Sequence, residues 1–148
     1  MKTSAGQKNA HADVIELRVA ARPENVALAR LALNGVASAA GAPPAVVADL
    51  KLAVSEACAN AVQHAYAGSN LDGEQHVTIR FAVRDRQLVV EVEDDGSGFE
   101  VITRGSWQSG ETEGQGLGMG LTIVRSVTDE LEIESGARGS RVVFSKGF

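Results

Sequence analysis

The chain has 148 residues, 44% hydrophobic and 22% charged, which suits one domain with a buried core and argues against a disordered segment. Its net charge of −5 disfavours direct nucleic-acid binding, and no apolar run approaches the roughly 20 residues needed to cross a bilayer. The first residues lack the apolar core of a secretory signal, and Cys58, the single cysteine, excludes an internal disulfide. A cytoplasmic protein without membrane contact is expected.

Residues 1–12 are polar and aperiodic and read as a flexible tail before a single domain over 13–148. In residues 13–20, Ile15, Leu17 and Val19 alternate with Glu16 and Arg18, the pattern of a half-buried strand. Pro23 and Glu24 suit the first turn of a helix that runs to about residue 40, where Gly41 stops it. Pro43-Pro44 opens a second helix, with Val46, Val47, Leu50, Val54, Ala57, Ala61 and Ala65 at helical spacing, ending near Tyr66. Val77, Ile79, Phe81 and Val83 alternate, Asp85-Arg86 turns the chain, and Leu88, Val90 and Val92 resume the alternation, which makes a hairpin. Residues 99–113 are rich in Gly, Ser and Thr and read as a long loop, with Trp107 as an apolar anchor. A helix from Met119 to about residue 129 and two strands, 131–134 and 141–145, complete the chain. This order implies an α/β (α+β) fold: a two-layer sandwich of a mixed, largely antiparallel sheet with helices packed on one face.

Three segments carry chemistry. Glu56 and Asn60 are one helical turn apart on one face of a half-buried helix, where polar groups need a partner or a task. Counting by two from Leu88 through Val92 lands on Asp94, so its carboxylate continues the buried face just as the strand meets Gly96 and Gly98. The run Gly114-Gln115-Gly116-Leu117-Gly118-Met119-Gly120-Leu121 leads into a helix whose first amides are unpaired and suit a phosphate. Taken singly, each has a plain alternative: a turn Asp, a helix-interior Asn, a surface Glu, a glycine hinge. In this chain order they match the needs of ATP. Asp94 accepts from the adenine amino group, the amide oxygen of Asn60 joins phosphate oxygens around magnesium, and Glu56 lies near the terminal phosphate to take a proton or orient water. The glycine run has no Gly-Lys-Ser/Thr ending and follows no strand, so neither the Walker nor the Rossmann phosphate loop fits.

With these residues the chain resembles the GHKL ATP-binding superfamily, which includes gyrase, histidine kinases and mismatch-repair ATPases. Glu56 and Asn60 correspond to its N-box, residues 94–98 to its first glycine box and 116–121 to its second. Ser55-Glu56-Ala57, Asn60-Ala61, His64-Ala65-Tyr66, Gly118-Met119-Gly120-Leu121-Thr122-Ile123 and Thr128-Asp129-Glu130 are similar to the bacterial anti-sigma factor serine kinases, over almost the whole chain. The resemblance implies a Bergerat-type ATP-binding fold with an ATP lid at about 99–117, ATP and Mg2+ as cofactors, and a homodimer. It also implies a sigma factor as one partner and a STAS-type anti-anti-sigma protein, phosphorylated on serine, as the other. On the same ground Glu56 is the general base, Asn60 the metal ligand and Asp94 the adenine anchor, while Gly116, Gly118, Met119, Gly120 and Leu121 line the phosphates. Ser140 matches a threonine position on the adenine side, and Arg30 matches a position that contacts protein partners. Two departures stand out: Gln115-Gly116 where relatives often carry a basic residue, for which Arg104 or Arg125 is a substitute, and Ala59 where threonine is common. A switch kinase acting on a STAS scaffold and a non-catalytic nucleotide-dependent binding module are the competing readings. A free-standing histidine-kinase domain is disfavoured, since no helix with a phosphorylatable His precedes the ATP module.

Overall fold

A computed structural model describes residues 13–66, 74–95, 118–136 and 139–148. The period-two segments become strands β1 (Val14–Ala20), β2 (His76–Arg84), β3 (Gln87–Asp94), β4 (Glu130–Gly136) and β5 (Gly139–Gly147). They form one sheet in the order β1-β2-β3-β5-β4, and each pairing is antiparallel. The period-3.6 segments become helices α1 (Val26–Ala39), α2 (Pro44–Tyr66) and α3 (Met119–Val127), with a short 3-10 turn over Pro23–Asn25 ahead of α1. The reading of helices packed on one face of a largely antiparallel sheet holds. The tail 1–12, the lid 99–117 with Trp107, and the substitute Arg104 lie outside the described residues.

Burial follows the alternation. Val77, Ile79 and Phe81 of β2, Leu88, Val90 and Val92 of β3, and Val142 and Phe144 of β5 turn one face of the sheet into the core. Against this face lies α2, whose Ala53, Ala57, Ala61 and Ala65 recur every fourth residue and are almost fully buried. Small side chains along that line let the helix axis approach the sheet closely. On either side of α2 pack α1 and α3, toward β2 and β4 respectively. Cys58 is buried in this layer, and burial pushes its thiol up to about 12, so it stays protonated and inert near neutral pH.

Local chemistry sets the breaks. Gly41, at φ 78°, ends α1: its N–H donates to Ser38 O at 3.1 Å and Ala42 N–H to Ala37 O at 3.0 Å, the Schellman arrangement. The β2–β3 turn places Asp85 and Arg86 at φ 48° and 60°, as a two-residue hairpin loop of type I′ requires. Arg86 is an unusual residue for that conformation, which costs about 1–2 kcal/mol. The chain end offsets it: Arg86 Nε donates to Phe148 O at 2.8 Å, Phe148 N–H donates back to Arg86 O at 2.9 Å, and the guanidinium lies 5.9 Å from the Phe148 ring centre.

The opposite face of the sheet carries a lattice of charge. Arg80 reaches Glu16 and Glu91 at 2.8 Å and Glu93 at 3.0 Å, and Arg141 reaches Glu91 at 3.0 Å. Glu91 joins the two guanidinium groups. The hydrogen bond from Arg141, then the charges of Arg141 and Arg80, hold its carboxyl below the usual carboxylate range against the opposing effect of burial. A lowered folded-state pKa means that this stabilisation is complete above the ordinary Glu value and fades as pH falls through the lowered one. Glu91→Gln is expected to cost about 1 kcal/mol at pH 7. Urea melts should show the gap between wild type and variant closing as pH drops below about 4.

Candidate functional site

Strand parity places the acid. Leu88, Val90, Val92 and Asp94 share the helix-facing side of β3, and Asp94 is 3% exposed at the end of that row. Its neighbours across the ladder are Val77 of β2 and Ser140 of β5. A carboxylate in an apolar layer must be met by donors. Ser140, itself buried, donates its hydroxyl hydrogen to Asp94 Oδ2. An open hollow of about 490 Å3 at this end of the sheet borders the pair, with Glu93, Glu134 and Arg141 on its rim.

Gly139 makes the pairing feasible. Its φ is 126°, and a Cβ there would lie 2.0 Å from the carbonyl oxygen of Asp94, a backbone atom that cannot swing aside. Gly139→Ala is therefore expected to destabilise the protein by on the order of 3 kcal/mol. Thermal or urea unfolding checks this, and nucleotide affinity should weaken with it. Gly139 was not singled out from the sequence. The available signal was a glycine opening a strand, which often marks a close backbone approach.

Helical periodicity places the second group. Glu56 and Asn60 lie one turn apart and half-buried on α2. Among the described residues Asn60 Nδ2 is buried without a hydrogen-bond partner. Such a group costs about 1–3 kcal/mol if nothing meets it, and as a donor it suits a water or an acceptor oxygen such as that of a phosphate. One oxygen of Glu56, Oε2, lies 2.9 Å from where a Cβ of Gly120 would be, so the carboxylate sits against the first turn of α3.

The start of α3 supplies the third group. Gly118 caps the helix without a side-chain bond, and the first intrahelical bond runs from Thr122 N–H to Gly118 O at 3.2 Å. Helix geometry leaves the N–H groups of Met119, Gly120 and Leu121 without an intrahelical acceptor. Met119 is 83% exposed, but the Leu121 side chain is 1% exposed and belongs to the core, so only its backbone can face a phosphate. Arg125 stands in the last turn of α3, about 9 Å of axial rise from Met119. Gly96, Gly98 and Gly116 lie outside the described residues. Arg30 is exposed on α1, across α2 from α3, and does not join the group.

The end of β3, the flank of α2 and the start of α3 thus carry the groups of the candidate site. The histidine kinase-like ATPase domain family matches residues 19–146. The protein belongs to that family, whose members are ATP-binding domains of the GHKL type. Among relatives, the serine-protein kinase RsbW of Bacillus pumilus is 39% identical over 145 residues, 93% of this chain and 88% of its own. That of Bacillus subtilis is 41% identical over 131 residues, 84% of this chain and 80% of its own. Within the family the chain is a protein serine kinase of the RsbW type. In fold it is similar to the RsbU and RsbW domains of Rv1364c from Mycobacterium tuberculosis, with a TM-score of 0.66 at 21% identity over 91% of this chain and 32% of that one.

Proposed function

We propose that the protein is an ATP-dependent serine kinase that is also an anti-sigma factor. In this reading residues 13–148 form one kinase domain with its lid at about 99–117. The kinase sequesters an alternative sigma factor and phosphorylates a serine of a STAS-type anti-anti-sigma antagonist. In this reading it works as a cytoplasmic homodimer; among the described residues no helix is long and apolar enough to cross a membrane. Arg30, exposed on α1, is assigned to partner contact.

The observation that carries the reading is the Asp94–Ser140 pair: Val77, the ladder neighbour of Asp94, shares a small cleft with Cys58 and Val62, which flank Asn60 on α2, and Glu56 of the same helix meets the first turn of α3 at Gly120. Asp94 accepts from the adenine amino group, and Ser140 holds that carboxylate in place. Gly96 and Gly98 let the chain pass close to the base. Gly116, Gly118, Met119, Gly120 and Leu121 offer backbone to the phosphates. Among the described residues no cluster of three or more His, Cys, Asp or Glu side chains stands ready for a metal. The donor set assigned to Mg2+ in this reading is the Asn60 amide oxygen with phosphate oxygens and water. When bound, the ion neutralises charge on the β- and γ-phosphates. The serine Oγ of the antagonist attacks the γ-phosphorus, the bond to the bridging oxygen breaks toward ADP, and Glu56 takes the serine proton.

Incubation with labelled ATP and a purified STAS-domain protein tests the activity. Label should appear on a serine, and a sigma subunit should co-purify with the kinase. Transfer without a sigma subunit would favour the switch kinase acting on a scaffold. Nucleotide binding without transfer would favour the binding module.

A further inference from the structure

Gly120 occupies the second position of α3 and faces α2. A Cβ built on it comes within 2.9 Å of Glu56 Oε2, while the next nearest atoms, Glu56 Cβ and Glu56 O, are both at 3.8 Å. The last two are ordinary van der Waals contacts. The glycine is not demanded by a left-handed backbone, since the positive-φ glycines among the described residues are Gly41 and Gly139. Nor does close packing of the two helices exclude a methyl group, because the one conflicting atom is the end of a flexible side chain. What a side chain at position 120 would take is the place of the Glu56 carboxylate. Glycine is also a poor helix former, so its presence here offers no local advantage.

We infer that Gly120 is a positioning residue for phosphoryl transfer: by carrying no side chain it reserves the space in which Glu56 stands against the first turn of α3. This rests on the kinase reading above, in which that carboxylate receives the serine proton. Alanine at position 120 keeps the backbone N–H and directs its methyl at α2, away from the side where a phosphate meets the amides. The helices keep their packing, and the carboxylate rotates out of line. Misplacement of a reacting group by about 1 Å can cost a hundredfold in rate.

The test uses the full chain, Mg2+ and ATP, and a purified STAS-domain protein bearing the acceptor serine. Gly120→Ala should unfold at or above the wild-type midpoint, bind ATP within about threefold of wild type, and transfer phosphate roughly ten- to a hundredfold more slowly. Glu56→Asp withdraws the carboxylate by one methylene and removes the conflict. Adding Gly120→Ala to Glu56→Asp should therefore change the rate by less than about threefold, a departure from additivity that residues acting separately would not show. Wild-type transfer by the alanine variant, or an equal loss in both backgrounds, overturns the inference. So does an alanine variant that unfolds in both backgrounds, because packing would then be what excludes the side chain. If the wild-type protein transfers no label at all, the kinase reading fails, and unfolding midpoints judge the contact separately. Gly120→Ala should raise the midpoint more in the Glu56→Asp background, and equal increments would overturn the contact itself.

Discussion

Asp94→Asn is expected to weaken ATP and ADP binding by roughly a hundredfold, which corresponds to about 2.8 kcal/mol. Asp94 is buried at the end of β3 and already accepts the Ser140 hydroxyl. Asparagine has one acceptor and one donor where aspartate has two acceptors. If its carbonyl oxygen keeps Ser140, its amino group meets the amino group of adenine, donor against donor. If it turns the other way, Ser140 must give up its acceptor in a buried setting. Either arrangement leaves a polar group unsatisfied, and such sites discriminate strongly against a missing hydrogen bond. Titration calorimetry with Mg2+ present measures the loss. Affinity within about threefold of wild type would remove Asp94 from the adenine site, and with it the main support for the proposed function.

The second large effect is kinetic. Glu56→Gln keeps the size of the side chain and its place against α3 while removing the basic oxygen, so transfer to the antagonist serine should fall by about a hundred- to ten-thousandfold. ATP affinity should stay within roughly threefold, because a group that acts on the acceptor proton contributes little to ground-state nucleotide binding. This pairing of a lost rate with retained affinity separates a base from a phosphate-binding residue. Phosphorylation that persists in the glutamine variant would refute the base assignment, and affinity lost in parallel with rate would make Glu56 part of the nucleotide cradle instead.

The sheet and helices were legible for a simple reason: each buries one side, and burial on one side imposes a period. The alternation through Val77, Ile79 and Phe81 and the fourfold spacing of Ala53, Ala57, Ala61 and Ala65 are products of that constraint, and both match the observed burial. Pro23 marked the start of a helical segment, although its first turn is 3-10 over Pro23–Asn25 before α1 begins at Val26. Element ends were less well marked. The last helix stops at Val127 instead of near residue 129, and the final strands extend to Glu130–Gly136 and Gly139–Gly147, because ladder bonds recruit residues with no apolar signal of their own.

The candidate site divides along the same line. Parity alone put the Asp94 carboxylate on the buried face, and helical spacing alone put Glu56 and Asn60 on one flank, since both are local rules acting within a single element. Ser140 came from resemblance, because nothing near it in sequence reports that Asp94 would be its partner across the β3–β5 ladder. Leu121 shows the opposite case: its motif suggested a phosphate contact, and packing claims its side chain for the core.

What the sequence by itself determined is the set of elements, the face each one buries, and the residue types able to meet a base, a metal and a phosphate. Only the tertiary structure decided that Gly139 must pass under the Asp94 carbonyl, that a side chain at Gly120 would meet Glu56 Oε2, and that Glu91 joins Arg80 to Arg141. Those are contacts between elements far apart along the chain. Local periodicity carries no record of such distances, because they arise only when strands pair and helices settle on the sheet.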